Sequence, residues 1–373
     1  MKVLHVITMM DIGGAERLMV DLLPLLQQHD DLDVELLLFN GVNTPFKREL
    51  QRQGIKIHQL GYVDDVDDLW SVYNPRLIAR LKKYLGSYDI IHTHNTACQL
   101  FVPIAKALFG SKSALVTTEH STNNRRRSKR WCRPIDRWMY SRYKAIVCIS
   151  DRAQESLENY IGKKDNLLTI NNGVDVKRFL RPVKDITGQE NFVITMVAGL
   201  RAEKDHETVF RAMTHLPANY RLQLVGSGVR EAELKALTTS MGLDDRVTFL
   251  GVRSDVPDIL ERSDVVLLSS HWEGLSLSSV EGMASGRPFI ASDVKGLREV
   301  VGGYGVTFPH GDDKALAEKI LELCNNPEMY REVATSCQQR AREFDISLMA
   351  DRYYELYKSL NRQQGQKTHF RQE

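Results

Sequence analysis

The chain has 373 residues, 42% of them hydrophobic and 26% charged, and its 50 basic and 48 acidic side chains leave a formal charge of +2. This composition excludes a disordered or fibrous protein, and the near-neutral balance gives no global case for nucleic acid as a partner. The length exceeds what one hydrophobic core usually supports, which predicts two domains with a ligand cleft between them.

The amino end, "MKVLHVITMMDIGG", reads as a first strand and not a signal peptide, because Asp11 cuts its apolar run and no small-residue cleavage site follows. No apolar run approaches the ~18 residues of a membrane span, which leaves peripheral attachment to the inner face of a membrane open, and the unpaired cysteines point to a cytoplasmic protein. Gly13 and Gly14 in "DIGGAERLMV" stand at a helix start, where they serve either tight packing or the approach of backbone amides to a ligand. The apolar runs "DVELLLF", "IKIHQL", "DIIHTH", "ALVTTEH" and "AIVCIS" follow, with helical patterns between them. This alternation predicts a parallel sheet with crossover helices on both faces, over residues 1–181.

His92 and His94 in "IIHTHN" are read as facing opposite sides of their strand, so that at most one reaches a cleft, and as mainly structural. His120 closes "ALVTTEH" at a strand's carboxyl end, where a neutral imidazole can hydrogen-bond a sugar hydroxyl. No metal site is expected from these histidines, since their strands differ and no carboxylate stands at ligand spacing. The strongly basic stretch "HSTNNRRRSKRWCRPIDRWMYSRYK" carries Arg125, Arg126 and Arg127 with Trp131, Trp138, Tyr140 and Tyr143 interleaved. Two readings compete: an acceptor or membrane surface suited to lipid headgroups or a lipid-linked diphosphate, and a solvated helix whose aromatics fill the core. RNA is a third reading, weakened by the overall charge.

"LRPVKDITGQEN" reads as a linker, after which the alternation restarts over 190–340 with "FVITMVAG", "YRLQLVG", "RVTFLG", "DVVLLSS", "RPFIAS" and "GVTFP". "VAGLRAEKDHET" places Arg201 and Lys204 at a strand-to-helix turn. Two cations held there favour a leaving diphosphate as it gains charge. "LQLVGSGVREAEL" resembles a dinucleotide fingerprint, but Glu231 takes the third glycine position and the next strand ends without an acidic residue, which disfavours a dehydrogenase. Val252 and Arg253, after that strand, are candidates to line a nucleobase pocket.

In "SSHWEGLSLSSVEGMASGRP" a turn leads into a helix, with Gly274, Leu275, Ser276 and Leu277 at its start. Unpaired amides at a helix start hold a diphosphate without any lysine, which explains a run so poor in cations. Glu273 and Glu281, with seven residues between them, would flank that diphosphate and take hydroxyls. The competing reading is a capped helix with two solvated glutamates. A last helix over 345–362 is expected to pack back on the first domain, and 363–373 to fray. The five cysteines, with no CxxC pair, read as reduced structural thiols.

The glutamate pair in "EGLSLSSVEGMASGRPFIASDVKGLREVV" closely resembles the signature of family 4 retaining glycosyltransferases of the GT-B fold, and the likeness runs from "GGAER" to the terminal helix. The resemblance implies two Rossmann-like domains facing across a cleft, no cofactor, no metal, and front-face transfer assisted by the donor's own phosphate. It also implies that Glu273 lies by the transferred sugar, Glu281 bonds the ribose, Arg201 and Lys204 hold the donor phosphates, and His120 stands near the sugar. The family's arginine commonly precedes the lysine by five positions, where this chain has Gly199, so Arg201 would have to reach that place from a reshaped turn. The implied partners are a nucleoside diphosphate sugar, UDP favoured, and a glycan or lipid-linked acceptor. A nucleotide-sugar binding protein or a sugar epimerase on the same scaffold is the alternative.

Overall fold

The computed structural model describes residues 1–11, 13–61, 71–121, 126–127, 129 and 131–369, with no side chains described beyond residue 363. The chain divides into two compact units, Met1–Gly173 with Ile346–Glu373, and Val174–Asp345.

The first unit is built on a parallel sheet of β1 (Lys2–Ile7), β2 (Asp33–Asn40), β3 (Lys56–Gly61), β4 (Ile90–Thr93), β5 (Ala114–Glu119), β6 (Ala145–Cys148) and β7 (Leu167–Thr169). Their order is β3-β2-β1-β4-β5-β6-β7, so the chain changes direction of winding between β1 and β4. Helices cover both faces, which is why these strands are near-continuous apolar runs rather than alternating ones. Successive side chains still part to opposite sides. Val3, Ile7, Ile90 and Val116 enter one core with Leu18 and Leu22, and Leu4, Val6, Ile91 and Leu115 enter the other with Phe101 and Tyr140.

The helix Ile346–His369 packs in the first of these cores through Ile346, Met349, Ala350, Tyr353, Tyr357 and Leu360. Its backbone is helical to His369, past residue 363, where fraying is expected from the sequence.

The second unit carries β8 (Phe192–Val197), β9 (Tyr220–Val225), β10 (Val247–Gly251), β11 (Val265–Leu268), β12 (Phe289–Ser292) and β13 (Val306–Phe308), in the order β10-β9-β8-β11-β12-β13. Here the reversal lies between β8 and β11, and ligands of open parallel sheets bind beyond the carboxyl ends of strands at such a point.

The expected boundary at residue 181 falls inside this unit. Val174 donates its N–H to Phe344 O at 2.9 Å, and Val176 and Phe179 enter its core. Nor is "LRPVKDITGQEN" a free linker. Ile186 is buried, Lys184 pairs with the buried Asp264 at 2.5 Å, and a Cβ on Gly286 would lie 2.6 Å from both Arg181 O and Pro182 O. Polarity and a proline marked a crossing point, but a buried isoleucine and an ion pair strap it down. All five cysteines are buried and free.

Candidate functional site

Two loops beyond the carboxyl ends of the neighbouring strands β8 and β11 form the candidate site of the second unit. After β8 the chain passes Gly199 and Arg201 into a short turn, Ala202–Lys204, and then the helix His206–His215. Asp205 caps that helix with positive φ (37°), its carboxylate accepting from the Thr208 hydroxyl at 2.9 Å and from Ser269 Oγ at 3.0 Å. The buried Asp205–Ser269 bond ties the β8 loop to the β11 loop. His271 N–H adds a second tie to Glu203 O at 2.8 Å.

Across these ties Lys204 Nζ is ion-paired with the Glu273 carboxylate, both side chains mostly buried, and Ser270 Oγ donates to the same oxygen at 2.7 Å. Arg201 is exposed, and it folds back over Gly199: its Nε lies 3.6 Å from where a Cβ at position 199 would stand. The guanidinium group therefore occupies the neighbourhood from which a side chain at 199 would emerge.

The glycines of "LVGSGV" have a packing reason. A Cβ on Gly226 would meet Ala198 O at 2.1 Å, and one on Gly228 would meet Leu200 O at 2.2 Å. Leu200 N–H donates to Ser227 O at 3.0 Å, so this turn is the backing on which the Arg201 loop rests.

Beyond β11, the helix Leu277–Ala284 starts at Ser276, whose hydroxyl accepts from Ser279 N–H at 3.3 Å. The Leu277 and Ser278 N–H groups have no partner among the described residues, and they point out of the helix start with its partial positive charge. Gly274 and Leu275 lie in the turn before it. The turn is held from behind by Gly296, where φ is +95° and a Cβ would sit 2.4 Å from Glu273 O and 2.7 Å from Gly274 O. Glu281 lies one turn inside the helix and is partly exposed. Val252 and Arg253 follow the edge strand β10. Val252 is exposed, and Arg253 is held by Asp255 through two bonds of 2.8 and 2.6 Å, which raises its pKa.

In the first unit Gly13, in extended backbone, precedes the helix Gly14–Leu26 after β1. A Cβ on Gly14 would meet nothing within 4 Å, so tight packing is not its reason. His120, after β5, is half-buried, and burial lowers its pKa to about 4.

Two histidine expectations need correction. Residues two apart on a strand share a face, so His92 and His94 point the same way, their ring centroids 4.3 Å apart. Different strands also do not separate these rings. β1 and β4 pair in register His5 with His92, and His5, His92 and His94 converge. Each of their nitrogens is already hydrogen-bonded: His5 to His94 (2.9 Å) and Tyr357 (3.3 Å), His92 to Tyr357 (2.6 Å) and Thr118 (2.8 Å), His94 also to His120 (3.0 Å). Sequence reasoning missed His5 and Tyr357, although "LHVI" and "IIHTH" at one sheet register carry the signal. A second trio that could hold a metal ion, Asp205, His271 and His310, lies beside the site of the second unit.

The arginine expectation also changes. Arg125 lies outside the described residues. Arg127 is buried against the buried Glu119 at 2.7 Å, and Arg126 pairs with the buried Asp136 at 3.1 Å. Neither is a free surface cation, because carboxylates within the fold claim them. Tyr140 and Tyr143 are core residues, whereas Trp131 is 67% exposed.

A profile described as "Glycosyl transferases group 1" matches residues 177–344, and one described as "Glycosyltransferase Family 4" matches residues 12–178. The chain is 27% identical over 325 residues to the UDP-Gal:alpha-D-GlcNAc-diphosphoundecaprenol alpha-1,3-galactosyltransferase of Escherichia coli, covering 79% of this chain and 80% of that protein. It is 23% identical to a Campylobacter jejuni GalNAc-alpha-(1->4)-GalNAc-alpha-(1->3)-diNAcBac-PP-undecaprenol alpha-1,4-N-acetyl-D-galactosaminyltransferase, covering 95% and 98%. The crystal structure of HepE from Anabaena in complex with UDP superposes with a TM-score of 0.81 at 22% identity, covering 96% of this chain and all of that one.

Proposed function

The chain belongs to the glycosyltransferase family that these two profiles describe, with the GT-B fold, and on that premise we propose that it is a retaining enzyme moving a hexose-type sugar from a UDP-sugar to a lipid-linked glycan. The observation that carries this reading is the pair Lys204–Glu273, held at the strand-order reversal beside the open amides of Leu277 and Ser278. A donor diphosphate meets three kinds of positive partner there: the helix start, Lys204 and Arg201. As the glycosidic bond breaks, charge grows on the phosphate oxygen, and cations already in place stabilise that state more than the ground state. Drawing Lys204 toward phosphate frees Glu273 to accept from sugar hydroxyls, with Glu281 taking the ribose. On the family resemblance, His120 is assigned to a sugar hydroxyl, Gly13 and Gly14 to backbone contacts with a ligand, and Val252 and Arg253 to the base.

No separate strong base is assigned. The acceptor proton passes to the leaving phosphate, and the charge it carries falls to Arg201, Lys204 and amides instead of a metal ion. The choice of UDP rests on the UDP complex of HepE and the UDP-Gal in the name of the E. coli enzyme. The lipid-linked acceptor rests on the undecaprenol-linked substrates in the names of the two relatives.

No described helix is long and apolar enough to cross a membrane. Peripheral attachment at the inner face of the membrane is supported instead by Trp131 and Ile135, 67% and 46% exposed, beside the exposed Arg133 and Arg137. A thermal-shift screen of UDP-, GDP-, ADP- and TDP-sugars tests the donor, since a ligand of the folded state raises Tm. Proton NMR of the product then tests retention: an inverted anomeric linkage, or transfer abolished by EDTA, overturns the mechanism.

A further inference from the structure

The buried hydrogen bonds of the first unit form one unbranched chain: Tyr353, Thr118, His92, Tyr357, His5, His94, His120. Its links measure 3.0, 2.8, 2.6, 3.3, 2.9 and 3.0 Å in that order. Every member except His120 is buried. Burial drives the pKa of all four imidazoles down, to about 3 for His5 and about 4 for His120, so each ring is neutral and carries one N–H. Seven side chains therefore supply seven hydrogens to six links.

A link with two hydrogens clashes and a link with none leaves two lone pairs opposed, so each link takes one and a single hydrogen is left over. Where that hydrogen goes is decided by elimination. His5, His92 and His94 have both nitrogens inside the chain and cannot turn a hydrogen outward. Tyr353, Thr118 and Tyr357 could, but each hydroxyl is buried with no partner outside the chain among the described residues, and an orphaned buried donor is costly. Only Nδ1 of the half-buried His120 stands clear, with no partner among the described residues. Every bond must then run one way, from the Tyr353 hydroxyl to the Nε2 lone pair of His120.

We propose that His5, His94 and Tyr357 are positioning residues that hold His120 as its Nδ1–H tautomer, so that this histidine presents a hydrogen-bond donor to an oxygen lone pair of its ligand. The proposal deepens the reading of His120 as a sugar-facing residue and rests on it. It assigns the direction of the bond: the sugar oxygen accepts. It also gives the tyrosines of the helix Ile346–His369 a part in recognition without contact with the ligand.

The test is 15N NMR of the full-length chain labelled at histidine, with the His120 signals identified by their loss in His120→Gln. At neutral pH His120 should show a protonated Nδ1 and a bare Nε2, and a protonated Nε2 would overturn the proposal even if Tyr357→Phe could not be prepared. Tyr357→Phe cuts the chain while keeping the ring. Both tautomers of His120 should then appear, and kcat/KM should fall in proportion to the Nδ1–H fraction lost. An unchanged single tautomer in Tyr357→Phe would show that the chain does not set it. If the spectra come out as expected while His120→Gln transfers sugar normally, the tautomer assignment stands and the sugar-facing reading of His120 fails.

Discussion

Lys204 and Glu273, 69 residues apart in sequence, form an ion pair between the loops that follow two neighbouring parallel strands. The pair is sheltered, and it is braced by Ser270 on one side and by the Asp205–Ser269 bond behind. On the proposed reading a donor phosphate competes with this carboxylate for the ammonium group, and the pair is exchanged when the ligand arrives.

Lys204→Ala should therefore act on turnover. A cation that serves mainly the developing charge of the transition state is worth about a hundredfold in kcat, with a smaller change in donor KM. Steady-state release of UDP measures both constants, and a large rise in KM at constant kcat would contradict the assignment.

Glu281→Ala should show the opposite split. Loss of one hydrogen bond to a charged group costs about 1.5–3 kcal/mol, which predicts donor affinity weakened roughly tenfold or more with kcat little altered. Calorimetric titration with UDP separates this from the Lys204 effect.

Gly296→Ala should displace the site from behind. The added Cβ meets Glu273 O at 2.4 Å in a backbone conformation with φ of +95°, and strain of this kind costs about 1–3 kcal/mol. The expected result is a lower Tm together with lost transfer. Normal activity would mean that the turn before Ser276 tolerates a shift.

Arg127→Ala should destabilise the protein by about 3 kcal/mol, because it leaves the buried Glu119 carboxylate without its cationic partner, held only by Gln99 and Tyr140 among the described residues. Chemical denaturation measures the loss. An acceptor defect with unchanged stability would instead support the surface role first expected of this arginine run.

Stability should also fall on the acid side. His5, His92, His94 and His120 are held neutral by burial, with folded pKa values below the ordinary value of 6.5. The unfolded chain then binds more protons than the folded one below about pH 6.5, so stability is complete above that pH and drains away as pH falls toward about 4. Each ring contributes up to about 1.4 kcal/mol per pH unit. Urea midpoints at pH 7, 6 and 5 should decline in step, and a flat profile would mean that these rings titrate normally.

What could be read in advance follows from the range of each signal. Apolar runs buried on both faces and turn residues between them are local, so both sheets and the helix start at Ser276 were visible in the residues. The places of Lys204 and Glu273 in the fold were legible because a loop after a parallel strand has one place to go, the carboxyl edge of its sheet. The histidine chain was not, since it depends on β1 lying against β4 and on a helix more than 200 residues away from either. Arg126 and Arg127 misled for a related reason. A cation run looks like surface until the buried carboxylates that claim it, Asp136 and Glu119, are placed.

The helix Ile346–His369 belongs to the first unit, yet it is the last part of the described chain to leave the ribosome. Until it emerges, the amino-terminal half waits with an open apolar flank where Tyr353 and Tyr357 will lie, while the whole of Val174–Asp345 is made and can mature on its own. A nascent chain halted before residue 346 should thus be exposed to chaperones and proteases on one half only, and its rescue should come from supplying the missing segment as a peptide.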